Sequence, residues 1–254
     1  MGKKVFIFDL DDTLMWTEHA YSRAFISFYN YLMNLWGNRI PYIGSVASSA
    51  EEITSKMVKE INPSTGRPWG FNMERFPTSL VRQYKDLCER GFGEYNKSSA
   101  RDIYEIGLRA FRPNHYKLVP GVWRTLFYLY FKKCGLVLVT KGDKRVQKPK
   151  IKALKLRAWF EYRNIIIVDS KTPELFKDIM SKEEFTGSEF FSVGNSFYSD
   201  IEPAVQAGAR GVYIPCYTWK VEEVPDSYDK SDIITLDKIA DIVLAYEKGL
   251  FETA

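Results

Sequence analysis

The segment Lys3-Lys4-Val5-Phe6-Ile7-Phe8-Asp9-Leu10-Asp11-Asp12-Thr13-Leu14 changes character at Asp9. Up to Phe8 it is a β-prone run without polar alternation, which suits a strand buried on both faces, as in a parallel sheet. From Asp9 onward three carboxylates arrive within four positions. Asp9 and Asp11 stand two apart, so on an extended chain they face one side while Asp12 faces the other. Asp12 reads as a turn residue.

Four similar runs come much later, at 135–140, 164–169, 189–194 and 211–215. Segments with helical spacing lie between them: Trp123, Leu126, Phe127 and Tyr130, then Ile201, Ala204, Val205 and Gly208. Ile233–Tyr246 reads as a closing helix. Strand–helix alternation of this kind predicts a doubly wound α/β core with a parallel sheet.

More than a hundred residues between the first and second runs contain no convincing strand. Tyr21, Phe25, Phe28, Leu32 and Leu35 form a helical stripe, and Ser48-x-x-Glu51 reads as a capping box opening a second helix toward Ile61. Residues 80–90 and 99–111 supply two more helices, with Pro63, Gly66, Pro68 and Gly70 punctuating the interval between the second and third. The expected organisation is an α/β core of residues 1–15 and 118–254, interrupted by an all-helical domain at 16–117.

In open α/β sheets, ligands sit at the carboxyl ends of the strands. There the sequence offers Asp9 and Asp11, then Thr140, then Lys171, then Asn195 and Asp200. Two carboxylates, a hydroxyl, an ammonium, an amide oxygen and a further carboxylate suit a divalent cation together with a phosphate. An aspartate can attack phosphorus to form an aspartyl-phosphate, which water then hydrolyses. A cation must offset the repulsion between that carboxylate and the phosphate, and hard oxygen ligands favour Mg²⁺. A second aspartate can protonate the leaving alcohol and later activate water.

Asp9-Leu10-Asp11-Asp12-Thr13, Thr140, Lys171 and Gly194-Asn195 with Asp200 resemble, in order, the four motifs of the haloacid dehalogenase superfamily. Pro120-Gly121-Val122 and Lys171-Thr172-Pro173-Glu174-Leu175-Phe176 support the likeness. It spans 1–15 and about 118–254 and implies a Rossmann-like core; the helical insert matches the superfamily's cap in position and helicity only. The resemblance implies that Asp9 is nucleophile and metal ligand, and that Asp11 is general acid/base with its main-chain carbonyl on the metal. It implies that Thr140 holds phosphoryl oxygens and that Lys171 neutralises nucleophile and phosphate. Asn195 stands where the superfamily usually has a metal-binding acid, so the site loses one negative charge and Asp200 becomes the second acidic support.

Asp11 favours a phosphatase, because dehalogenases and phosphonate hydrolases of this type lack it. A phosphomutase retains it, but Thr13 leans toward phosphatases. A non-catalytic phosphate-binding protein is the alternative that Asn195 keeps open. The expected partner is a small phosphorylated substrate, with neither nucleic acid nor membrane.

Composition agrees with that class. Of 254 residues, 45% are hydrophobic and 27% charged, the balance of an ordinary globular protein. The longest apolar runs fall far short of the ~18 residues that span a bilayer. The N-terminus carries no recognisable signal peptide, and Cys88, Cys134 and Cys216 form no Cys-x-x-Cys pair, so reduced thiols and a cytoplasmic location are expected. Two histidines, His19 and His115, cannot make a His-rich metal site. Net charge is +4, too mild to demand nucleic acid. Eleven Lys or Arg against two acids between Lys132 and Arg163 read as a solvated helix face, with a polyanion patch as the other reading. Lys148 is the rival to Lys171 but lies in a helix; Lys141 is expected to face solvent.

Overall fold

The computed structural model describes residues 3–216, 222–229 and 231–252. In chain order its first elements are β1 (Lys4–Phe8), α1 (Glu18–Trp36) and α2 (Ile43–Met57). A short hairpin of β2 (Ile61–Asn62) and β3 (Arg67–Pro68) leads to α3 (Arg75–Glu89) and α4 (Lys97–Leu108). Then come α5 (Val122–Phe131), β4 (Gly135–Lys141), α6 (Lys144–Ala153), β5 (Ile165–Val168), α7 (Pro173–Met180) and β6 (Glu189–Gly194). The chain closes with α8 (Glu202–Gln206), β7 (Arg210–Tyr213), β8 (Ile233–Thr235) and α9 (Asp241–Glu247). No described helix is long and apolar enough to cross a membrane.

Two compact units divide these elements. One takes the described residues of 1–17, 116–141 and 147–254; the other takes 18–115 together with 142–146.

The first unit is a Rossmann-like α/β fold. Its six strands run parallel in the order β5-β4-β1-β6-β7-β8. β1 lies in the interior, with Val5 opposite Gly135 on one side and opposite Phe190 on the other. All five of its residues are buried. Alternate side chains explain the unbroken apolar run. Phe6 and Phe8 join Leu126 and Leu129 of α5 and Ile242 and Ala245 of α9 in one cluster. Val5 and Ile7 join Phe176 and Ile179 of α7 and Ala204 of α8 in another. Phe6 stacks on Phe191 at 5.1 Å, and Phe251 meets both rings edge-on at 5.2 and 5.0 Å.

The second unit packs α1 to α4 around Phe28, Leu32, Val46, Leu80, Tyr84 and Ile103. Asn96 caps α4 by accepting from the backbone N–H groups of Ser98 and Ser99 at 2.7 and 3.2 Å. Residues 142–146 join this unit through polar bonds: the Met73 N–H donates to Asp143 at 3.2 Å, and Arg145 pairs with Glu74 at 3.1 Å.

Several local expectations need correction. Ile233–Tyr246 is not one helix. Three consecutive β-branched residues, Ile233 to Thr235, pair with β7, and the helical spacing begins only near Ile239. Ser48 opens nothing: α2 starts five residues earlier, where the buried row Val46, Ala50 and Met57 demands it. In α1 the buried ridge is Ala20, Ala24, Phe28, Leu32 and Trp36, while Leu35 is exposed. The α5 stripe is also displaced. Val122, Thr125, Leu126 and Leu129 face inward, leaving Trp123, Phe127 and Tyr130 exposed around Trp159, with ring centroids 5.4–6.2 Å away. The Pro- and Gly-punctuated interval holds the β2–β3 hairpin, too short to show as periodicity.

Phe191→Ala should destabilise the protein by about 3–5 kcal/mol, since it empties the centre of the three-ring cluster. Denaturant unfolding checks this, with exposed Phe127→Ala as the contrast at under ~1 kcal/mol. Equal losses for the two would contradict the burial described.

Candidate active site

Each candidate residue is delivered by the carboxyl end of a core strand or the loop beyond it. Asp9 leaves β1 while its N–H still donates to Val193 of β6 at 2.9 Å. The chain then folds back within six residues. Leu14 and Met15 N–H groups donate to Leu10 at 2.9 and 3.0 Å, and the Asp12 N–H donates to Met15 at 2.7 Å. Asp12 makes this turn with φ of 57°, a left-handed conformation that aspartate tolerates better than most residues. Its carboxylate accepts the Thr17 N–H at 2.9 Å, which is the turn role expected of it.

Lys171 precedes Thr172, whose side chain caps α7 by accepting from the Leu175 N–H at 3.3 Å. That start of α7 sends the Lys171 ammonium inward, where it donates to Asp9 Oδ1 and Asp200 Oδ1, both at 2.6 Å. Its side chain is 2% exposed. Asp200 sits in one π-helical turn, Phe197–Ile201, after β6. The Ser196 N–H donates to Asp200 Oδ2 at 3.0 Å, and the Ser192 hydroxyl donates to the Asp200 carbonyl at 2.7 Å. Gly194 is required beside it, because a Cβ there would run into Cβ and Oδ2 of Asp200. Asn195 accepts from the Thr13 hydroxyl at 3.2 Å through its amide oxygen. Thr140 is fully buried, and its hydroxyl has no hydrogen-bond partner among the described residues.

Asp9, Lys171 and Asp200 are therefore brought together by direct bonds, and Asn195 is tied to Thr13. Asp11 is held separately. Its Oδ1 accepts from Lys150 at 2.6 Å and from the Thr17 hydroxyl at 2.5 Å, while Oδ2 accepts from the Gln147 amide at 2.7 Å. Sequence reading missed all three of these partners. Lys150 was absorbed into the basic run as part of a solvated face, yet it is 4% exposed. The available signal is the i, i+3 spacing of Gln147 and Lys150, which places both on one face of α6. Lys148 is exposed, as the choice of Lys171 over it requires. Lys141 is half-buried instead of solvent-facing, and burial together with the nearby Lys171 charge pushes its ammonium down.

A family model described as haloacid dehalogenase-like hydrolase matches residues 3–208. The chain belongs to this haloacid dehalogenase-like family of hydrolases. The structure resembles a haloacid dehalogenase-like family hydrolase from Xanthomonas campestris (20% identity, 97% and 96% of the two chains, TM-score 0.65). It also resembles YfnB from Bacillus subtilis, solved bound to magnesium (16% identity, 97% and 100%, TM-score 0.64). A third likeness is to a HAD phosphatase from Thermococcus onnurineus (17% identity, 97% and 98%, TM-score 0.54). At these identities the likeness is one of fold. No match was found among curated proteins.

Electrostatics separate the two acids of this hydrolase. Burial pushes the Asp9 carboxyl up to about 7; Lys171 counteracts this, while Asp200 and Asp11 add to it. Burial would raise Asp11 too, but Lys150 and the bonds from Thr17 and Gln147 outweigh it and hold Asp11 below its ordinary value. Burial disfavours the Lys171 ammonium, and Asp200 and Asp9 overcome that and raise it. Asp9 thus lacks enough nearby positive charge to stay ionised easily, which is the condition a bound cation relieves. Among the described residues no three His, Cys, Asp or Glu side chains cluster as a metal site. The oxygen donors these bonds place at the strand ends are the carboxylates of Asp9 and Asp200 and the amide oxygen of Asn195, the hard-ligand type that Mg²⁺ takes.

Without metal, native Asp9 keeps its proton to about pH 7, whereas the unfolded chain releases it near its ordinary value of 3.8. The native state binds more protons between these limits, so stability falls as pH rises from about 4 to about 7. In chelator, the melting temperature should therefore drop over pH 5–7.5, and Asp9→Asn should flatten that drop. Thermal melts of both proteins check this, and identical slopes would contradict the charge balance at Asp9.

Proposed function

We propose that this hydrolase is a Mg²⁺-dependent phosphatase acting on a small phosphate monoester, with residues 18–115 serving as its substrate-selecting cap. The observation that carries the reading is the buried Asp9, bonded to Lys171 and followed two residues later by a separately anchored Asp11. One carboxylate to attack phosphorus and a second, held in its own surroundings, to move the proton are what ester cleavage through an aspartyl enzyme requires.

In this mechanism Asp9 attacks phosphorus and the ester P–O bond breaks. Asp11, entering this step in its protonated form, gives that proton to the departing alcohol oxygen. Lys171 stabilises the charge on Asp9 and on the transferring group, and Thr140 donates its otherwise unpartnered hydroxyl to a phosphoryl oxygen. Asp11, now a carboxylate, takes a proton from water as that water attacks the aspartyl-phosphate and releases Asp9. Asp9, Asp200, Asn195 and the Asp11 carbonyl would hold Mg²⁺, which would supply the positive charge that offsets repulsion between the attacking carboxylate and the phosphate. Phosphate binding without turnover is the second reading, and the specific observation behind it is Asn195 at a usual acid position. The expected cytoplasmic location accords with Cys88, Cys134 and Cys216 standing as thiols.

EDTA should silence hydrolysis of p-nitrophenyl phosphate and excess Mg²⁺ restore it; undiminished turnover in chelator would sink the mechanism. Asp9→Asn should abolish activity, and acid quench of the wild type should trap phosphate on Asp9. A protein that binds phosphate but never turns over, even with Mg²⁺, would establish the second reading.

Asn195→Asp makes a signed test of the metal set. Placing a carboxylate beside the cation should lower the Mg²⁺ concentration for half-maximal activity, since Coulomb attraction at ligand distance is large even when screened. An unchanged or weaker requirement would put Asn195 outside the metal's ligands.

A further inference from the structure

Asp11 is the acid/base of the proposed reaction, and its carboxylate is held by a buried ammonium that touches neither Asp9 nor Asp200 among the described bonds. Lys150 Nζ donates to Oδ1 at 2.6 Å, the Thr17 hydroxyl donates to the same oxygen at 2.5 Å, and Gln147 Nε2 donates to Oδ2 at 2.7 Å. The Gln147 amide is itself fixed, because Nε2 also donates to the Lys141 carbonyl at 2.8 Å. A carboxylate has about four acceptor positions, two on each oxygen. Here Oδ1 has both occupied and Oδ2 has one. Among the described residues the single open position is on Oδ2.

We propose that Lys150, with Gln147, is a positioning residue that fixes the Asp11 carboxylate so that Oδ2 is the oxygen presented to the ester. The inference rests on the reading of Asp11 as the acid that protonates the leaving alcohol. Rotating the carboxylate would take the buried Lys150 ammonium off its one described ion-pair partner, and an unpaired buried charge is costly. The orientation is therefore set by α6 through the i, i+3 pair Gln147 and Lys150, while the backbone carrying Asp11 is set by the turn after β1. In the forward step the proton on Oδ2 passes to the ester oxygen as the P–O bond breaks, and Oδ2 retains the Gln147 hydrogen bond.

Positioning is separable from simple structural support by varying the leaving group. p-Nitrophenolate departs with little need of a proton, whereas an alkoxide cannot. We would measure kcat/KM with Mg²⁺ for p-nitrophenyl phosphate and for alkyl phosphates, in wild type, Asp11→Asn, Lys150→Met and the double variant. Kcat/KM for these esters reports the steps through release of the alcohol, before water enters. Lys150→Met should cost the alkyl esters on the order of 10²-fold and p-nitrophenyl phosphate under about 10-fold. The double variant should be no worse than Asp11→Asn by more than about threefold, as expected of residues that act as a unit. Lys150→Arg should restore part of the alkyl activity.

A loss from Lys150→Met that is equal across all esters, or that multiplies with Asp11→Asn, would overturn the positioning role. Should circular dichroism show Lys150→Met unfolded, Gln147→Met takes its place, with the same leaving-group dependence expected and the same equal loss overturning it. If Asp11→Asn itself slows all esters equally, the acid reading falls and this inference with it. If Asp11→Asn discriminates between esters and the α6 variants do not, only the inference falls.

Discussion

Lys171 brings one positive charge into a buried region, and both of its partners arrive there on other parts of the chain. Asp9 comes from the end of β1 and Asp200 from the turn after β6, each at 2.6 Å from the ammonium. Removing Lys171 would leave two buried carboxylates without compensation, a change that typically costs several kcal/mol. The arrangement tolerates little displacement. β1 and β6 must pair in one register, from Lys4 opposite Glu189 to Phe8 opposite Val193, for the two carboxylates to flank the same ammonium. Gly194 must lack a side chain, and the π-helical turn must aim Asp200 back across the strand end. The apolar layers on the two sheet faces hold that register.

Asp9 and Asp11 are two residues apart and chemically identical when unfolded, yet the fold gives them different surroundings. Asp9 shares its ammonium with Asp200 and is disfavoured as an anion by burial. Asp11 has Lys150 and two neutral donors of its own, and is favoured as an anion. The division comes from topology: a loop after β5 serves one carboxylate and the helix after β4 serves the other. Two residues of strand alternation place the acids, and two separate crossovers distinguish them.

The parallel core was legible because β1, β4 and β6 are buried on both faces, and such strands read as unbroken apolar runs. Asp9, Thr140, Lys171, Asn195 and Asp200 were legible because strand ends can be located from those runs. What failed was finer. The stripes in α1 and α5 were displaced because aromatic residues were counted as core: Ala20 and Ala24 take the buried row in α1, and Thr125 shares it in α5. Ile233–Thr235 was hidden inside a helical pattern because three residues are too few to show a period of two. Lys150 escapes notice for a different reason: charge in sequence reads as exposure, and only the partner on another element shows that one of eleven basic residues is buried.

The interior placement of β1 has a consequence for how the chain is made. β1 leaves the ribosome before the strands that flank it, which begin at Gly135 and Glu189. At roughly 5–20 residues per second, synthesis of the 126 residues between Phe8 and Gly135 takes on the order of ten seconds. For that time Val5, Phe6, Ile7 and Phe8 form an apolar ribbon with both edges unpaired, the state most prone to pairing with another nascent chain. Lys3 and Lys4 on one side and Asp9, Asp11 and Asp12 on the other bracket it with like charges at each end. The carboxylates of the proposed chemistry thus also stand where gatekeeper residues would during translation.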